Sequence, residues 1–297
     1  VKFTDFHVSV SCSPTRSMLL SGTDNHIAGL GTMGELIKPE QRGKPGYEGH
    51  LNNRVVSLAE VLRSAGYHTY MAGKWHLGHE QGQYPFDRGF ERALSLLYGG
   101  ASHFSDKSGL MEAETPAKYS MNGKDLKELS ADFYSSKTYT DFLIDAIRQN
   151  RGDGKPFLAY LAFTAPHDPI HVPEPWLSKY EGKYSQGYEV LKQRRADRAK
   201  EVGVVPKGAK LPGLHEMVNP WDSLSETEKA QSRRGMEGWW AGELAVRSIP
   251  LSRIDFICHR PRLQVLAFLD CCQPALTALP RRRRTGGPCC PGSCRPR

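Results

Sequence analysis

Residues 12–22 read CSPTRSMLLSG, and the fold turns on how that run is punctuated. Ser13 carries a hydroxyl that caps helices. Pro14 suits a first helical position, where its missing N–H has no partner to lose, and Gly22 marks an end. Met18, Leu19 and Leu20 supply an apolar side between them. The spacing predicts a short helix opening at Pro14, with Cys12 immediately before its N-terminus. Unpartnered backbone N–H groups and the positive end of the helix dipole gather there, which favours an anion or a thiolate. A lone cysteine elsewhere is a small buried hydrophobe; its neighbours decide which it is.

Working outward, Ser57 and Glu60 form a capping box ahead of Val61 and Leu62, and Gly66 stops that helix before a short strand over residues 67–72. Lys74 and His76 follow directly. If strand geometry persists through them, their two-residue spacing puts both side chains on one face. Further on, Thr138 and Asp141 open an amphipathic helix bearing Phe142, Leu143, Ala146 and Ile147. It breaks at Gly152 and yields to a buried-looking strand over 157–163, after which comes His167. Helix and strand signals thus alternate, the pattern of an α/β domain with a largely parallel sheet. The candidate groups fall past strand ends or at a helix start, where open sheets keep their ligand sites. Asp24, Asn25 and His26 read as a polar turn with local hydrogen bonds.

Residues 176–238 are polar and rich in Lys, Arg and Glu, and predict an exposed helical insertion whose 192–200 charge run is a solvated face. From position 247 the composition changes. The tail over 247–297 holds ten Arg and two Asp with no Lys or Glu, so it carries the whole net charge of +8 of the 297 residues. Residues 1–246 are neutral, and nothing in them calls for a nucleic acid or another polyanion. Six of the seven Cys also fall in the tail, which leaves Cys12 alone in the body and excludes a disulfide framework there. The tail has the look of coding sequence read out of frame and is expected to be disordered. A Cys-rich metal site and a basic nucleic-acid-binding arm rank below that reading. No run is long and apolar enough to span a membrane, nothing points to a compartment, and the opening residue Val1 predicts that the start lies upstream.

A tyrosine-phosphatase reading of Cys12 needs an arginine six positions on, but that position is Met18 and Arg16 falls at the fourth. Cys12-Ser13-Pro14-Thr15-Arg16 with the run to Gly22 instead resembles the sulfatase signature, in which C-x-P-x-R directs conversion of the cysteine to formylglycine. Gly73-Lys74-Trp75-His76-Leu77-Gly78 resembles the second signature of that family. Ala165-Pro166-His167-Asp168-Pro169 looks like its downstream histidine motif. The three occur in the family's order, and the resemblance spans about residues 1–246. It implies an alkaline-phosphatase-like α/β fold with a mixed or parallel sheet flanked by helices. Residues 1–246 would be a partial catalytic domain, truncated before its first strand and after Val246.

The same resemblance implies a sulfuric ester hydrolase of the arylsulfatase type, matured by a formylglycine-generating enzyme. The hydrated aldehyde derived from Cys12 would attack sulfur, and Arg16 would hold it. Lys74 would bind sulfate oxygens; His167 would stabilise the sulfate or, with Lys74, protonate the leaving group; His76 would act as general base. The two histidine roles can be exchanged, and His171 is a further pocket residue. The implied cofactor is calcium, with formylglycine at Cys12 among its ligands. The acidic pair and the Asp-Asn pair that complete such a site have no counterpart in this sequence. A phosphate or phosphonate ester hydrolase of the same fold, and a non-catalytic fragment, are the alternative readings.

Overall fold

The computed structural model of the chain describes residues 7–247 and, as backbone, 264–269. Among these residues six α-helices run α1 Cys12–Ser21, α2 Leu58–Ser64, α3 Ser135–Gln149, α4 Glu174–Leu177, α5 Gly187–Glu201 and α6 Glu226–Arg247. The strands are β1 His68–Lys74, β2 Arg92–Leu96, β3 Tyr119–Met121, β4 Lys124–Leu126, β5 Phe157–Phe163 and β6 Gln264–Leu269. They form one sheet in the order β4-β3-β2-β1-β5-β6. The pairs β1–β2, β1–β5 and β5–β6 are parallel, while β3 and β4 join as an antiparallel edge.

The central position of β5 follows from its sequence. FLAYLAF is buried at every residue, as a strand covered on both faces must be. Alternate residues feed two cores. Ala159, Leu161 and Phe163 join Tyr70 and Ala72 of β1 beneath Leu143, Ala146 and Ile147 of α3. Leu158, Tyr160 and Ala162 join Met71, Trp75 and Leu77 on the other side, with Leu20 of α1 and Ala59 of α2. The two central strands approach closely at Gly73, φ 115°, where an added Cβ would stand 1.8 Å from the Ala162 carbonyl oxygen. Only glycine fits that register.

Several boundaries differ from those read in the sequence. The first helix opens at Cys12 rather than Pro14, because the Thr15 N–H bonds the Ser11 carbonyl at 3.2 Å and makes Ser11 the cap residue. Cys12 is therefore inside the first turn, and the helix ends at Gly22 in the left-handed region, φ 67°. The strand expected over 67–72 runs to Lys74, because Lys74 still pairs with Leu96 of β2. The next helix starts at Ser135, where the chain is anchored by the Ser135 N–H bonding the His103 carbonyl at 2.9 Å. The Ser57–Glu60 capping box is present in both directions. Asp24 and Asn25 make the local bonds anticipated, to the His26 N–H and the Leu30 carbonyl.

The polar stretch after residue 174 folds into α4, α5 and α6. α5 is exposed or half-buried except at Gly187, whereas α6 leans on the loop that follows β5: a Cβ on Gly238 would meet Ile170 Cγ2 at 3.0 Å, and one on Gly242 would touch Pro166 at 3.9 Å. Within the tail, residues 264–269, QVLAFL, form β6 beside β5, so these six residues depart from the expected disorder. Apart from Arg247 at the end of α6, the rest of that tail lies outside the described residues. No helix among the described residues is long and apolar enough to cross a membrane.

Candidate active site

The carboxyl ends of β1 and β5 and the start of α1 meet. Cys12 is 6% exposed in the first turn of α1, whose cap residue Ser11 contributes no side-chain bond. The buried Ser13 hydroxyl, one residue on, makes no hydrogen bond among the described residues. Arg16 points back from the helix. Its guanidinium donates to the Trp75 carbonyl at 2.7 Å and to the Lys74 carbonyl, and lies 5.8 Å from the Tyr160 ring centre. Arg16 thus fastens the end of β1 to α1, an arrangement that the spacing alone did not reveal.

Lys74 closes β1 and is fully buried. His167 stands in the loop after β5, its backbone N–H on the Thr164 carbonyl at 2.9 Å and its Nδ1–H donated to the Asp168 carbonyl at 3.0 Å. The imidazole is hydrogen-bonded to Cys12, and that bond raises its pKa above 6.5 against burial and the positive charge of Lys74. Cys12, Lys74 and His167 therefore share one small space.

His76 is placed differently from the expectation. The strand ends before it, and at φ 55° its backbone turns into the left-handed region, so it does not share a strand face with Lys74. Its backbone stays tied to the end of β2 through the Leu97 carbonyl at 3.2 Å. Its ring is 8% exposed and donates Nε2–H to Glu35, 3.0 Å from Oε1 and 3.3 Å from Oε2. Burial raises the Glu35 pKa, but the His76 bond and charge, helped by Lys74, outweigh it and hold the group below its ordinary value. His171 is exposed and packs on Phe104, ring centres 5.9 Å apart, and on His103; its Nδ1 is 3.4 Å from the Ser102 hydroxyl.

Two residues of this region were not legible in the sequence. Glu35 lies in a one-turn 3-10 segment, Gly34–Leu36, and reaches His76 only through the fold. His103 is 1% exposed, and burial above all pushes its pKa down to about 4, so its ring is neutral near pH 7. A neutral ring has one N–H. Since a carbonyl can only accept, Nε2–H goes to the His167 carbonyl at 3.4 Å and Nδ1 accepts from the Ser135 hydroxyl at 2.7 Å. His103 thereby steadies the His167 loop. Neither residue belongs to a motif; a buried histidine between two loops leaves no periodic trace.

Among the described residues no group of three or more His, Cys, Asp or Glu is placed to hold a metal ion, so the calcium site implied by the resemblance finds no ligand set there.

A family model described as Sulfatase matches residues 1–227. An uncharacterized sulfatase of Schizosaccharomyces pombe is 45% identical over 248 residues, covering 80% of this chain and 44% of that protein. An arylsulfatase of Klebsiella aerogenes is 37% identical over 237 residues, covering 80% of this chain and 50% of that one. The chain thus spans about half the length of the curated relatives it matches. The fold is also that of solved structures. Ps i-CgsB superposes with a TM-score of 0.54 at 19% identity, over 86% of this chain and 47% of its own. BT4656, solved with its substrate D-glucosamine-2-N,6-O-disulfate, gives a TM-score of 0.51 at 18% identity, over 88% and 56%. An alkaline-phosphatase-like sheet, a buried Cys12 beside Lys74 and His167, and a match over most of its length all say the same thing: the chain belongs to the sulfatase family.

Proposed function

We propose that the site around Cys12 hydrolyses sulfate esters after Cys12 is oxidised to formylglycine by a separate maturation enzyme. The observation that carries this is the convergence of Cys12, Lys74 and His167. Formylglycine, as its hydrate, supplies a hydroxyl that attacks sulfur and a second that later expels sulfate. The remaining chemistry belongs to side chains. Lys74, held in low dielectric, places a positive charge where the sulfate oxygens sit, and such a charge counts for more there than in water. His167, its ring oriented by Nδ1–H on the Asp168 carbonyl, donates a proton to the departing alcohol oxygen. His76, with Nε2–H on Glu35, offers Nδ1 to take the proton from the second hydroxyl as the aldehyde returns. Arg16 holds the strand end that carries Lys74. His171 is assigned to the outer pocket, where it meets the organic part of the ester. The described residues do not fit calcium, and no step here runs through it.

Two measurements test the reading. Mass spectrometry of the peptide containing Cys12, after co-expression with a formylglycine-generating enzyme, is expected to show the aldehyde or its hydrate. Hydrolysis of 4-nitrophenyl sulfate is then expected to exceed that of 4-nitrophenyl phosphate and to vanish in Cys12→Ala. A persistent thiol, or a preference for the phosphate ester, overturns it.

A further inference from the structure

Resting on that reading, we propose that Glu35 is a positioning residue for His76: by accepting Nε2–H it fixes the imidazole as the tautomer whose bare nitrogen is Nδ1, and it sets the direction in which Nδ1 points. Three independent features hold the ring. The Glu35 carboxylate brackets Nε2 with both oxygens, at 3.0 and 3.3 Å. A carboxylate below its ordinary pKa is an acceptor only, so the shared proton stays on the ring. On the flat side stands the backbone of Gly99, where an added Cβ would come within 2.7 Å of Cε1, 3.1 Å of Nε2 and 3.2 Å of Nδ1. The third is the backbone of His76 itself, turned to φ 55° and pinned through its N–H to Leu97.

What this leaves over is Nδ1. It is buried and makes no hydrogen bond among the described residues. A buried acceptor without a partner is costly to keep, because it has given up its water without replacing it. That atom is the one that the sulfate-ester reading needs as a base. The other titratable groups that sense the pair are Glu114, His79 and Lys74. Glu114 senses the charges of both Glu35 and His76, and its own pKa is raised by burial first and then by Glu35; the positive charge of Lys74 acts on Glu35. Glu35 therefore has a rival role as a countercharge to Lys74, and the test must separate the two.

The full chain is labelled with 15N at histidine, and the His76 ring shifts are followed at alkaline pH in wild type, Glu35→Gln and Glu35→Ala. Wild type and Glu35→Gln, whose amide oxygen still accepts, are expected to show Nε2–H with bare Nδ1, and Glu35→Ala a mixture of tautomers. Turnover of 4-nitrophenyl sulfate is expected to fall about 10–100-fold in kcat for Glu35→Ala, with KM little changed, and to be largely restored in Glu35→Gln. Unchanged His76 shifts in a folded Glu35→Ala overturn the proposal. A Glu35→Gln variant that keeps the tautomer yet is as slow as Glu35→Ala overturns it in favour of the countercharge. Shifts that respond as expected in a wild-type chain without sulfate-ester turnover support the positioning of His76 and overturn the sulfate-ester reading instead.

Discussion

At the residue scale, the chemistry of this protein concentrates in a few buried polar atoms. Lys74 is a buried cation, and an ammonium out of water is stabilised only by what surrounds it. Lys74→Ala is expected to lower kcat/KM for a sulfate ester by about 10²–10³-fold, the scale of losing one preorganised electrostatic contact. Thermal unfolding of the variant checks that the fold survives. Motifs made part of this site legible in advance: Cys12, Lys74 and His167 were named from local runs of five or six residues, and they do meet. Glu35 and His103 were not, because each acts through a contact 41 or 64 residues away in the chain. The geometry of His76 was also beyond a strand-period argument, since the strand ends at Lys74 and the backbone of His76 is left-handed.

At the scale of elements, local signals located the centres of helices and strands and missed several of their ends. The 157–163 strand was read with its true bounds because an unbroken apolar run between breakers has only one register. The start of α3 was displaced because Ser135 is anchored by the His103 carbonyl, a tertiary bond that no capping pattern announces. Where the signal is purely local its contribution is measurable. Ser57→Ala removes the side-chain acceptor for the Glu60 N–H and the donor to the Arg88 carbonyl, and should cost about 1–2 kcal/mol in urea unfolding. Leu143→Ala, on the buried face of α3, should cost about 2–5 kcal/mol. The amino end of β1 adds a pH dependence. There His68 lies 2.6 Å from the Asp153 carboxylate and 3.0 Å from that of Glu91. Burial opposes its charge, but the two hydrogen-bonded carboxylates prevail and raise its pKa above 6.5. The charged form is thus favoured by folding, and its stabilisation is complete below about pH 6.5 and fades as pH climbs through the raised value. Unfolding free energy is expected to decline across neutral pH, with a shallower decline in His68→Gln.

On the scale of the whole molecule, the polar helical stretch beyond residue 174 touches the loop that carries His167 through α6. Gly238 and Gly242 give that helix a bare stripe where it lies against Ile170 and Pro166, on either side of His167. A bulky side chain there pushes on the loop rather than on solvent. Gly238→Leu is expected to lower kcat by up to about 10²-fold by displacing His167, while the extent of Cys12 oxidation, read by mass, stays as in wild type.

Gly73 sets a further limit. Lys74 follows it on β1, and His167 follows Ala162 beyond the end of β5, so the width between ammonium and imidazole is gauged where those strands touch. With only a hydrogen at that contact, the gap is as narrow as two backbones allow, and any methyl would wedge the strands apart. The site's selectivity for a compact tetrahedral anion would then depend on a side chain that is not there.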